Sequence, residues 1–212
     1  MKLFLTSAGI TNKTIAEELR QLSGKKKIKI AFIPTAANDV EEEKDWLIKN
    51  YNECEKVGAV DIVDISAIPK SSWLPRLKSS DVIVVGGGWT AYLMRWINKS
   101  GLKNELPKLL KTRVYVGISA GGIALGKTIQ ASEEFLYGDE VKSAPKGLGY
   151  INFNFRPHLN SPHFPKVRDK NLKKISKRLN GDLYACDDNS AIACVNNKIK
   201  VVSEGKWIKY RR

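Results

Sequence analysis

The chain has 212 residues, of which 42% are hydrophobic and 27% charged, and it carries a formal net charge of +14. That length and balance fit one globular domain spanning residues 1–212 with a full core, and exclude a disordered or low-complexity chain. No apolar run reaches membrane-spanning length, the run in Met1–Leu5 is too short for a signal peptide, and Cys54, Cys186 and Cys194 form neither a disulfide framework nor a zinc spacing, so a reducing cytoplasm is the expected compartment.

Leu3–Leu5 reads as a first strand, with the small residues Ser7-Ala8-Gly9 at its carboxyl end. Ile15, Leu19 and Leu22 repeat at helical spacing, and Ser23-Gly24 closes that helix. Ile28–Ile33 is a second strand ended by Pro34-Thr35, and Leu47, Tyr51 and Cys54 mark a helix that stops near Gly58. Strands follow at Val60–Ile65 and Asp81–Val85, the latter running into Gly86-Gly87-Gly88-Trp89-Thr90, and a helix is expected over about 91–98. Val114–Ile118 is a β-branched run of the kind buried in a parallel sheet. Beyond residue 127 the pattern changes: 133–149 looks irregular, 170–179 is a short basic helix, and Ser190–Tyr210 reads as antiparallel strands broken at Asn196-Asn197 and Glu204-Gly205. Strands alternating with helices predict an α/β fold of three layers, a mostly parallel sheet covered on both faces, with a C-terminal antiparallel extension. Ligands of such sheets bind outside the carboxyl ends of the strands, where the clusters at 7–9, 86–88 and 117–122 fall.

Ser119 stands between that buried strand and Ala120-Gly121-Gly122, and Gly117, Ser119 and Gly121 satisfy G-x-S-x-G. A serine on a tight strand-to-helix turn exposes its hydroxyl above the sheet, with the following N–H groups aimed at a developing oxyanion. A glycine-rich turn that binds phosphate, or merely packs closely, is the plainer reading of the same residues. A serine nucleophile needs a base, and the sequence holds two histidines, His158 and His163, in one proline-stiffened stretch from Phe155 to Pro165. His158 is preferred, because it follows Pro157 beside an apparent strand end; His163 would then be a neighbour or a surface residue. The acid that orients the base has candidates in Asp187 and Asp188, again at a strand end, with Glu133 and Glu134 next in order.

Taken together, Leu3-Phe-Leu-Thr-Ser-Ala-Gly9, Ile33-Pro-Thr-Ala36, Val85-Gly-Gly-Gly-Trp-Thr90, Gly117-Ile-Ser-Ala-Gly-Gly122, Arg156-Pro-His158 and Asp188-Asn-Ser-Ala-Ile192 resemble the peptidase E family of serine peptidases, which includes aspartyl dipeptidases and the related cyanophycinases. The resemblance runs over nearly the whole chain and implies a sheet order like that of class I glutamine amidotransferases. It puts the nucleophile on Ser119, the histidine on His158 and the acid on Asp188, with Gly88 and Ala120 as backbone donors of the oxyanion hole. It implies a small peptide substrate and neither metal nor organic cofactor. Arg168 roughly matches a basic position that aspartyl dipeptidases use for an N-terminal aspartate. Two departures stand out: Trp89 replaces the family's usual Asn at the pocket rim, and Asp188 replaces the commoner Glu. The substrate expected is therefore a dipeptide with an acidic or altered first residue.

The rival reading is a non-catalytic protein of the same fold that holds an acidic metabolite or nucleic acid on its basic surface. The positive charge is, however, spread over 25–29, 103–111, 166–178 and 206–212, mostly as lysine, without the aromatic interleaving of RNA-binding surfaces. A solvated lysine-rich face without a membrane or nucleic-acid partner is the expectation, and oligomeric state is left open.

Overall fold

Successive residues of Val114–Ile118 point to opposite faces of a sheet, and all five are buried, so both faces of this strand, β5, must be covered. The computed structural model, described here for residues 1–136 and 145–212, places β5 at the centre of a seven-stranded sheet. Its partners are β1 (Lys2–Thr6), β2 (Lys29–Ile33), β3 (Ala59–Ile62), β4 (Val82–Val85), β8 (Ser190–Val195) and β9 (Lys198–Ser203), in the order β3-β2-β4-β5-β1-β8-β9. The first five strands are mutually parallel, with Leu3 opposite Tyr115 and Val85 opposite Gly117. β8 runs antiparallel to β1, and β9 to β8.

Strand alternation divides the core in two. Leu3, Leu5, Ile83, Val85 and Tyr115 face one layer, built from α3 (Lys70–Ser79), α4 (Thr90–Lys99), α5 (Leu102–Leu109) and α6 (Ala120–Ile123). Phe4, Phe32, Val82, Val84, Val114 and Val116 face the other, where α1 (Lys13–Ser23) contributes Ile15, Leu19 and Leu22, and α2 (Asp45–Glu55) contributes Cys54. The Asn12 side chain accepts the N–H of Ile15 to start α1, and Gly24 ends it at φ 65°. Two helices escape the sequence periodicity. Each carries a proline at its sixth position, Pro75 in α3 and Pro107 in α5, yet Trp73 and Leu77, and Leu102, Leu106 and Leu109, are buried. Burial of these large side chains outweighs the backbone hydrogen bond that each proline removes.

The C-terminal part is more mixed than the expected antiparallel run. β10 (Trp207–Tyr210) leaves the main sheet and pairs antiparallel with β7 (Leu183–Cys186), which pairs parallel with β6 (Asn154–Arg156). Glu133–Leu136 forms a single helical turn, α7, within the stretch read as irregular; of that stretch, 137–144 lie outside the described residues. A third apolar cluster, with Leu159, Val167, Leu172 and Leu183, packs α8 (Asp169–Ser176) against the small sheet and underlies the histidine loop. Among the described residues no helix is long and apolar enough to cross a membrane, and no group of three or more His, Cys, Asp or Glu is placed to hold a metal ion. The three cysteines are free and buried.

Candidate active site

The carboxyl ends of β1, β4 and β5 converge on Ser119. Its backbone, φ 47° and ψ −108°, lies in a region that non-glycine residues rarely occupy, at a cost of order 1–3 kcal/mol. Close packing holds it there. A Cβ on Gly117 would stand 2.5 Å from the Gly121 carbonyl carbon, and one on Gly121 would stand 2.1 Å from the Val85 oxygen, so both flanking glycines are required by the approach of α6 to the sheet. The Ser119 N–H donates to Thr6 O at 3.0 Å, its carbonyl accepts from Gly122 and Ile123, and the buried Tyr115 hydroxyl donates to Gly121 O at 2.9 Å. Ala120 is the first residue of α6, so its N–H has no acceptor within the helix.

His158 follows β6, its own backbone left-handed at φ 66°. Its Nε2 lies 3.0 Å from Ser119 Oγ, and its Nδ1 lies 2.7 Å from Asp188 Oδ1. Phe164 stacks on the imidazole, with ring centroids 4.1 Å apart and planes 5° from parallel. Leu159 N–H donates to Cys186 O at 2.9 Å, fastening the loop to the end of β7. Arg168 donates to the carbonyls of Ser161, Phe164 and Val167 at 3.0–3.1 Å, so its guanidinium braces the histidine loop from within. His163 is exposed on that loop.

The two adjacent aspartates face different ways. Asp187 accepts from the N–H groups of Asn189 and Lys206 and from the Ser190 hydroxyl, which fixes the turn between β7 and β8. Asp188 turns to His158 and also accepts the Ser7 hydroxyl at 2.9 Å, while Ser7 Oγ in turn accepts the His158 N–H at 2.7 Å. Glu134 accepts the Thr90 N–H at 3.2 Å, at the start of α4, and Glu133 lies 3.8 Å from the buried Arg156, which itself donates to Ala131 O.

Burial holds the His158 pKa below its ordinary value, against the hydrogen bond and charge of Asp188, which raise it. For Asp188, burial pushes upward, but the hydrogen bonds of His158, Ser7 and Ser161 and the charge of His158 prevail and hold it low. A neutral imidazole fixed by an ionised carboxylate is the state in which Nε2 can accept a proton.

At the rim, Gly88 adopts φ 129°, and a Cβ there would fall 2.1 Å from Ala36 O, so only glycine fits. Trp89 N–H donates to Ala36 O at 3.0 Å, and its side chain is 42% exposed at the start of α4. Sequence reasoning missed three neighbours: Ser7, Phe164 and Trp46. A methyl group on Gly87 would lie 3.4 Å from Ser119 Cβ and 3.7 Å from Trp46 Cζ3, so the Trp46 indole, in the first turn of α2, flanks the same point as the serine. The Ser7-Ala8-Gly9 cluster at a strand end was the signal for the first; for the two aromatics there was none.

A strained serine at the end of the central strand of an α/β sheet, with an imidazole against its hydroxyl and a carboxylate behind the imidazole, is the arrangement of a serine hydrolase. The family model of peptidase family S51 matches residues 3–202, and the chain belongs to this family of serine peptidases. It is 28% identical over 180 residues to an uncharacterised peptidase of Pasteurella multocida, covering 82% of this chain and 84% of that protein. It is 26% identical over 199 residues to peptidase E of a Nostoc species, covering 86% and 78%. A candidate peptidase E from Listeria monocytogenes has the same fold, with a TM-score of 0.79 at 22% identity, covering 96% of this chain and 98% of that one.

Proposed function

We propose that this chain hydrolyses small peptides through an acyl-enzyme formed on Ser119, with His158 as general base and Asp188 as the acid that orients it. The observation that carries the reading is the pair of contacts on one imidazole: Nε2 to Ser119 Oγ at 3.0 Å and Nδ1 to Asp188 Oδ1 at 2.7 Å. Ser119 Oγ attacks the peptide carbonyl and gives its proton to His158 Nε2. The tetrahedral oxyanion lies against the Ala120 and Gly88 N–H groups, a contribution of roughly 3–4 kcal/mol per donor. His158 returns the proton to the leaving amine, and water then attacks the acyl-enzyme with His158 again as base.

The substrate proposed is a dipeptide whose first residue is bulkier or less acidic than aspartate. Arg168 is committed to three loop carbonyls, whereas the Trp46 indole flanks the serine and the partly exposed Trp89 follows Gly88 at the rim, which supports selection by apolar contact. A fluorophosphonate probe tests the reaction class. One covalent adduct is expected, on Ser119, and none in Ser119→Ala; an unlabelled wild type would return the chain to the binding-protein reading. A dipeptide library varied at its first residue and followed by mass spectrometry then identifies the substrate.

A further inference from the structure

Ser7 is fully buried at the end of β1, and its hydroxyl occupies the corner between the base and the acid. A hydroxyl has one proton to give. The His158 N–H occupies a lone pair of Oγ at 2.7 Å, so that proton is directed at Asp188 Oδ1, 2.9 Å away. The same carboxylate oxygen therefore receives two donors, the Ser7 hydroxyl and the His158 ring.

The segment that follows strengthens the link. Thr11 Oγ1 donates to Asp188 O at 2.8 Å, Asn12 Nδ2 to Asn189 O at 3.0 Å, and Ser7 N–H to Ser190 O at 3.3 Å. Residues 7–12 thus draw the backbone of 188–190 against the end of β1, where a side chain as short as aspartate reaches the imidazole. The left-handed backbone of His158, uncommon outside glycine, is held by the N–H that Ser7 accepts.

We infer that Ser7 is a positioning residue of the reaction, its hydroxyl tying the backbone of the general base to the carboxylate that orients it. The inference rests on the serine peptidase reading of Ser119, His158 and Asp188. Ser7 acts through those groups and touches no reacting atom. Its removal misaims the imidazole and leaves the carboxylate with one donor fewer.

The test is the second-order rate of Ser119 modification by a fluorophosphonate, followed against pH in the full chain. Loss of a buried, charge-assisted hydrogen bond predicts that Ser7→Ala reacts roughly ten- to a hundredfold more slowly, with the maximal inactivation rate falling and the half-saturating probe concentration unchanged. The charges facing His158 are Asp188, Arg156 and Glu133. With Ser7 gone the Asp188 charge is less shared, so the acid limb of the profile moves to higher pH. Ser7→Thr, which keeps the hydroxyl, recovers most of the rate. In an Asp188→Asn background Ser7→Ala should have little further effect, because its partner is already lost. Should Ser7→Ala unfold, Ser7→Cys, close in size but a poor donor, carries the same comparison. A wild type with no Ser119 adduct sinks the peptidase reading itself. A wild type that reacts, with Ser7→Ala or Ser7→Cys equally fast or equally damaging in the Asp188→Asn background, overturns the role of Ser7 alone.

Discussion

Replacing Asp188 by Asn, beside the matched control Asp187→Asn, separates the acid that orients the base from one that only holds a turn. Asp188 Oδ1 accepts from His158 Nδ1 at 2.7 Å and from Ser7 Oγ at 2.9 Å. If the amide oxygen keeps that place, both bonds survive and only the charge opposite the imidazolium is lost. A charge-assisted bond is about twice as strong as a neutral one, and its loss costs roughly ten- to a hundredfold in rate. If Nδ2 takes that place, it donates to Nδ1, moves the imidazole proton to Nε2 and blocks proton acceptance from Ser119. That tautomer costs about 10⁴ in kcat, roughly 5.4 kcal/mol. The expected loss for Asp188→Asn therefore lies between about 10 and 10⁴, with folding retained. Asp187→Asn weakens contacts to Asn189, Lys206 and Ser190 instead, so it should lower Tm by several degrees, at about 1–3 kcal/mol, and leave kcat within about threefold. The assay is kcat and KM on the best dipeptide from the library, with thermal unfolding of each variant. Equal and small kinetic effects from the two substitutions would mean that the acid lies elsewhere, with Glu133, whose charge also acts on His158, and Glu134 the next candidates.

His158→Ala should lose activity by orders of magnitude and His163→Ala by much less, since His163 is exposed while His158 touches both Ser119 and Asp188; the reverse ranking in kcat/KM would transfer the base to His163. Burial holds the His158 pKa below its ordinary value of about 6.5, and the imidazole must be neutral to act, so activity falls as pH drops through that lowered value. The acid limb of kcat/KM should have its midpoint below about pH 6.5, and since Asp188 raises the His158 pKa, Asp188→Asn should move it lower still; a wild-type midpoint above 7 contradicts the assignment. Trp89→Asn should shift kcat/KM towards Asp-Leu over Leu-Leu by about tenfold, roughly 1.4 kcal/mol of differential transition-state binding; an unchanged ratio means that Trp89 only packs on α4.

Much of this molecule is decided by neighbours in sequence. The continuous apolar runs of β1 and β5, the Ile15-Leu19-Leu22 face of α1 and its Asn12 and Gly24 ends are local matters, because hydrophobic pattern and backbone freedom belong to a few adjacent residues. The elbow at Ser119 belongs with them: Gly117 and Gly121 permit the close approach that makes the turn, and both can be read in the chain. The helices α3 and α5 cannot be read in this way, since Pro75 and Pro107 oppose them locally and only the burial of Trp73, Leu77 and Leu106 favours them. Nor does composition distinguish Asp187 from Asp188. Their directions follow from partners far along the chain, Lys206 for one and Ser7, 181 residues away, for the other. Arg168 has the charge to meet a substrate carboxylate, but the folded histidine loop offers it three carbonyls first. Ser7 reaches His158, and Trp46 flanks the serine, because β1, β2 and β5 end on the same edge of one parallel sheet, and side-chain direction at such an edge is fixed by long-range packing and hydrogen bonding rather than by local preference.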